Sequence, residues 1–271
     1  MEQKYIEVDS VTLSYLEQNG HRRKTLFFLH GNSGSSLLWE RQYRDRIFDS
    51  YSIVAFDLPG HGQSSGIPSK DYSVSNLARI MSNAVKLLAN GRDYALTGLS
   101  LGGNIVAEML VHGVAPKGLV FLSAGLVGKE VPLSDVIQND LVVDVLFKDN
   151  CPRDRVEEYF NGLPYKHDSE LVTSLVRDYD RTNKEFRLIF PQTVGQGMYS
   201  DELALIRSWK GSPLAIYGNQ DNIVKPDLLD HVSIGWWKES IFKIDKAAHL
   251  VNIDNPSVIN QLMLDYLIEC F

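Results

Sequence analysis

Six short, almost wholly apolar runs constrain this chain more than any other feature: residues 26–29, 53–56, 94–96, 119–122, 214–217 and 241–244. A strand with one solvated face alternates apolar and polar residues, whereas a continuous apolar run needs cover on both faces. Longer amphipathic stretches separate the runs. The expected fold class is therefore α/β, with right-handed crossovers building a mostly parallel central sheet between two layers of helices. The start of the chain has a different texture. Tyr5, Ile6 and Val8, then Val11, Leu13 and Tyr15, alternate as half-buried strands do ahead of the turn pair Asn19-Gly20, which reads as an antiparallel edge hairpin.

Two helices are legible in detail. Val74, Leu77, Ile80, Met81, Ala84, Val85 and Leu88 recur at intervals of three and four and draw one apolar stripe. Near the end, Asn255 suits an N-cap and Pro256 the first helical position, with Val258, Ile259, Leu262, Met263, Tyr266 and Leu267 as the buried face. Between about residues 126 and 211 no strand is expected, only charged and aromatic helix-like segments such as 153–160 and 169–179. The chain thus divides into a core domain of residues 1–125 and 212–271 and a helical cap over 126–211. An insertion leaving the carboxyl end of one strand and returning for the next sits over the crevice where open α/β sheets bind ligands, and can serve as a lid.

Bulk properties narrow the classes of function. The net charge of -7 is spread without long runs of one sign, so nucleic acid is not an expected partner. The opening MEQKYIEVDS is charged from its second residue and has no apolar signal-peptide core, and no apolar stretch approaches bilayer-spanning length. A soluble, cytoplasmic protein with no membrane partner is expected. Cys151 and Cys270, far apart and without metal-ligand spacing, read as free thiols.

The chemistry-bearing motif follows the third apolar run. Gly98-Leu99-Ser100-Leu101-Gly102-Gly103 leads into the helix-like Ile105, Val106, Met109 and Leu110, a G-x-S-x-G pattern in strand-turn-helix context. Such a turn thrusts its serine into strained dihedrals, and glycines two positions either side let strand and helix approach. The helix N-terminus adds positive potential where an oxyanion forms. Two further loops stand directly after strand-like runs: His30-Gly31-Asn32-Ser33, and Asp57-Leu58-Pro59-Gly60-His61-Gly62-Gln63-Ser64. With these three motifs in this order, essentially the whole chain resembles the α/β-hydrolase superfamily, in particular its serine-nucleophile esterases and lactonases.

A serine hydroxyl needs a base, and in this fold the base follows the last strand. His249 alone fits, in the loop of residues 245–249. The remaining member is a carboxylate that orients the imidazole. Residues 123–126 after the fourth run contain no acid, whereas residues 218–222 after the fifth contain Asp221, which is chosen, with Asp245 as the substitute. The resemblance further implies backbone oxyanion donors at Leu101 and Asn32, with Ser33 as the alternative to the latter, and structural hydrogen bonding for His30 and His61. His21, His112, His167 and His231 read as surface residues.

An elbow serine, rather than aspartate, points to acyl transfer. The expected activity is hydrolysis of a small or medium acyl ester through an acyl-enzyme, without metal or organic cofactor. The HGNS and DLPGHG-S loops are also similar to those of enzymes that open acyl-homoserine lactones, so a lactone is the alternative substrate. Thioesters, amides, a carbon-carbon bond and acyl transfer to peroxide stay open. A ligand-binding receptor or scaffold with a vestigial triad is the reading from another class. Trp39, Tyr159, Phe160 and Met198 are the expected substrate-binding residues, among a wider aromatic set with Tyr165, Tyr179, Phe186, Phe190 and Tyr199.

Overall fold

Strands β1 (Glu2–Val8) and β2 (Val11–Gln18) pair antiparallel through a turn in which Asp9 and Ser10 both take left-handed φ, 52° and 65°. That geometry matches the natural twist of a two-residue hairpin. The Asn19-Gly20 pair serves the next connection instead: Asn19 sits at φ 55° and its carbonyl accepts from Arg22 N on the way to β3 (Lys24–Leu29). The structure, a computed structural model, describes residues 1–136, 140–148 and 150–271.

The remaining apolar runs become β4 (Ser52–Phe56), β5 (Asp93–Leu99), β6 (Gly118–Leu122), β7 (Leu214–Gly218) and β8 (Ile241–Ile244). They form one eight-stranded sheet in the order β1-β2-β4-β3-β5-β6-β7-β8, antiparallel from β1 to β4 and parallel thereafter. Phe27, Phe28, Phe56, Leu96, Phe121 and Ile216 are fully buried in its centre. The last run departs from expectation. Ile241, Phe242 and Ile244 are only half-buried and Lys243 is exposed, because β8 is an edge strand paired on one side.

Helices α1 (Glu40–Tyr43), α2 (Val74–Ala89) and α3 (Leu101–Met109) lie between strands of the first half. The stripe predicted for α2 is buried through Val85, Ser73 caps the helix by accepting from Asn76 N, and the chain leaves through Asn90 in the left-handed region. Between β6 and β7 run α4 (Leu133–Val136), α5 (Asp140–Leu146), α6 (Arg153–Asn161), α7 (Ser169–Arg181), α8 (Lys184–Gly195) and α9 (Glu202–Ser208). After β8, α10 (Val251–Asp254) leads into α11 (Pro256–Cys270). Pro256 takes the first turn as expected, but Asn255 makes no side-chain cap: its backbone is the joint between the two helices.

The interposed helices are tied to loops at the carboxyl edge of the sheet. Ser35 Oγ, in the loop after β3, donates to Asp178 Oδ2 of α7 at 2.6 Å. Leu250 N donates to Leu163 O at 3.2 Å, and Asp254 accepts from Tyr165 N. Among the described residues no helix is long and apolar enough to cross a membrane.

Candidate active site

Ser100 joins β5 to α3 at φ 51° and ψ -123°, a left-handed conformation that costs a non-glycine residue energy and that tight packing must hold. The packing is visible in the flanking glycines. A Cβ on Gly98 would stand 2.3 Å from Gly102 O, and one on Gly102 would stand 2.2 Å from Leu29 O. Strand, turn and helix therefore touch backbone to backbone. Ser100 N donates to Leu122 O of β6 at 2.9 Å, and Gly103 N to Ser100 O at 2.7 Å, closing the turn. Leu101, as the first residue of α3, carries an N–H without an intrahelical acceptor.

The two loops on the other side brace each other. His30 Nε2 accepts from Leu58 N at 3.0 Å, so Nδ1 carries the proton and donates to Gly31 O at 2.7 Å. Burial lowers the pKa of both His30 and His61, the latter strongly, which favours the neutral form of these edge-to-face rings. Asp57 accepts from Ser14 Oγ, Ser36 N and Gln63 N, gathering three segments onto one carboxylate. Asn32 and Ser33 stand in the first of these loops, where Ser33 Oγ donates to Asn32 Oδ1 at 2.9 Å.

His249 and Asp221 meet at the ends of β8 and β7. The imidazole Nδ1 lies 2.9 Å from Asp221 Oδ2 and 3.2 Å from Oδ1, with both side chains buried. An ionised carboxylate only accepts, so Nδ1 carries the proton and Nε2 keeps its lone pair. Asp221 Oδ1 is fixed in turn by Ile223 N at 2.8 Å and Val224 N at 3.0 Å. Among the described residues the imidazole's side-chain hydrogen bonds run to Asp221 alone. Asp245 is exposed and accepts from Asn219 Nδ2 instead. Asp254 Oδ2 accepts from Ala248 N at 2.8 Å and so clamps the residue before His249 to the same carboxylate that holds Tyr165.

Ser100, Leu101 and Asn32 line a cavity of about 110 Å³. Its remaining wall is mainly aliphatic: Val127, Leu133, Val136, Val142, Leu146, Val194, Ile223 and Val224, with Phe147, Phe190 and Tyr199. None of the four expected substrate-binding residues belongs to it. Trp39 is fully buried against Phe28, ring centroids 4.8 Å apart, inside the core. Tyr159 and Phe160 pack edge to face within the inserted helices, Phe160 against Tyr179 as well, and Met198 is exposed. Of the wider aromatic set, Phe190 and Tyr199 do line the cavity.

Two polar residues of the wall were not anticipated. Asn104, one turn along α3 from Ser100, donates through Nδ2 to Gly125 O and to Glu202 Oε2, both at 2.8 Å. Glu202 also accepts from Val127 N at 3.0 Å, and burial raises its pKa to about 8. An available signal was a polar residue in the first turn of the helix that opens at the elbow. Among the described residues no group of three or more His, Cys, Asp or Glu is arranged to hold a metal ion.

Comparison with known proteins gives a consistent result. At 23% identity the chain matches the uncharacterized hydrolase YugF of Bacillus subtilis (strain 168) over 96% of both chains. A solved structure of a mutant N-acyl homoserine lactonase AidH, complexed with N-hexanoyl homoserine lactone, superposes with a TM-score of 0.88 at 22% identity, covering 100% of this chain and 98% of that one. A thermophilic esterase from Thermogutta terrifontis superposes at 0.79 with 16% identity, covering 100% and 99%. These structural likenesses establish the shared fold. The model of the alpha/beta hydrolase family matches residues 26–262. The chain belongs to the alpha/beta hydrolase family.

Proposed function

We propose that this protein is a serine hydrolase that cleaves small or medium acyl esters through an acyl-enzyme on Ser100, beneath a cap formed by residues 126–211. The observation that carries the reading is Ser100 itself, held in a strained turn at the mouth of an aliphatic cavity with a helix N-terminus behind it. In the proposed reaction Ser100 Oγ attacks the acyl carbon while its proton passes to His249 Nε2. The N–H groups of Leu101 and Asn32 hold the oxyanion, a role typically worth about 10² to 10³ in rate per donor. His249 returns the proton to the departing alcohol, then takes one from the water that attacks the acyl-enzyme and passes it to Ser100 Oγ as the acid leaves. Asp221 keeps the imidazole in the required tautomer and stabilises its charged form.

A lactone is the second substrate class, favoured by the full-length likeness to the AidH lactonase. The same steps apply to a cyclic ester, with the alcohol remaining on the product. An ester and lactone panel of graded chain length tests both. Turnover by the wild type that disappears in Ser100→Ala is expected. Equal rates for the two proteins, with acyl ligand still bound, would establish a receptor with a vestigial triad instead.

A further inference from the structure

Glu202 is the anomaly in the cavity wall. Only 1% of the residue is exposed. Its Oε2 takes both hydrogen bonds that the surroundings offer, from Val127 N and Asn104 Nδ2, while Oε1 is buried with no partner among the described residues. Burial raises the pKa to about 8, with Glu108 from α3 and Asp201 from the N-cap of α9 adding to the rise, against the lowering effect of Val127 N and Asn104. Tyr199 is the other titratable side chain in the cavity wall. At neutral pH the carboxyl is therefore predominantly protonated, with its proton on the oxygen that has no acceptor. A buried donor without an acceptor is costly, and sites built to pair such a group discriminate strongly for substrates that supply the partner.

Its position relates this donor to the reacting carbon. Asn104 is the fourth residue of α3, the helix that opens directly after Ser100, and holds the Glu202 carboxyl at 2.8 Å, so that Ser100 and Glu202 line the same cavity. An acyl chain bound in this cavity with its carbonyl at Ser100 would share the space with Glu202. We propose that Glu202 is a specificity residue whose carboxyl donates from Oε1 to an acceptor oxygen on the acyl chain, so that keto-substituted acyl esters are preferred over plain alkanoyl esters. This inference rests on the acyl-ester reading above.

The test compares kcat/KM for nitrophenyl esters of hexanoic, γ-ketohexanoic and δ-ketohexanoic acids, each normalised to its uncatalysed hydrolysis. Taking the ratio of keto to plain ester at each pH cancels every pH effect common to the two substrates. At about pH 6 at least one keto ester is favoured about tenfold, the worth of a hydrogen bond to a buried donor. The preference falls toward unity above about pH 8, where the carboxyl loses its proton. Glu202→Gln keeps an N–H donor, so its preference becomes independent of pH, whereas Glu202→Leu loses it. A ratio near unity at about pH 6 in the wild type, with hexanoate still released, overturns the inference and leaves the ester reading standing. A preference that survives in Glu202→Leu also overturns it. Failure to turn over all three esters overturns the ester reading and this inference together. The wild-type pH series decides the matter even where the leucine variant does not fold.

Discussion

Two regions of the cavity are held by different kinds of structure. Around Ser100, backbone presses on backbone: Gly98 and Gly102 have no room for a Cβ, and the neighbouring loops are tied by His30 and Asp57. Over the rest of the cavity, side chains from α4, α5 and α8 supply an aliphatic wall. Backbone packing tolerates no added atom, whereas a side-chain wall can change volume and still close. On the proposed function, the backbone-locked region around Ser100 would fix the chemistry and the side-chain wall would choose the acyl group.

Substitutions in the two regions should separate rate from selectivity. The largest effect is expected from Asp221→Asn. Its oxygen can still accept from Ile223 N and Val224 N, but the amide NH₂ then faces His249 Nδ1 and forces the wrong tautomer. Turnover should drop about 10⁴-fold with the unfolding midpoint little changed, as steady-state kinetics and thermal melts will show. Equal losses in Asp245→Asn would erase the distinction between the two acids. Next comes Gly102→Ala, whose new methyl meets Leu29 O. Destabilisation of about 3 kcal/mol is expected in denaturant titrations, and a neutral result would break the claim that the region around Ser100 is locked by backbone.

Glu202 acts on stability through its dependence on pH. Its folded pKa of about 8 lies above the unfolded value near 4.5, so between those limits the native state binds the extra proton. Stability should therefore fall as pH rises through this window, then level off above it. A decline in Tm of about 8 °C from this group, abolished in Glu202→Gln, is the expected readout by calorimetry. The smallest effect concerns chain length. Leu146→Ala enlarges the cavity at its side-chain wall and should raise the relative kcat/KM for longer over shorter acyl esters about tenfold. A uniform loss across all lengths would mean that the wall positions the reacting carbon as well.

The same contrast explains what was legible in the sequence. The elbow and the His249–Asp221 pair are written in residue types that have few substitutes: glycines flanking a serine, a late histidine, an acid in the loop after β7. Continuous apolar runs likewise located the central strands, because strands buried on both faces leave no polar positions. β8 misled, since apolar residues on an edge strand read the same as those in a core. The cavity wall was missed for a related reason. Large aromatics such as Trp39 and Phe160 are recognisable in sequence, but their size suits them to fill the interior. The space was left to smaller residues such as Val136, Val142 and Leu146, which any core contains. Glu202, at the start of a short helix, looks like an ordinary solvated first-turn acid until the fold buries it.

Covalent trapping tests the central claim most directly. The wild-type protein, treated with a fluorophosphonate and analysed by intact mass and peptide mapping, should carry one adduct, on Ser100, with labelling abolished in Ser100→Ala and slowed severely in His249→Ala. An adduct on another residue, or undiminished labelling in His249→Ala, would contradict the account.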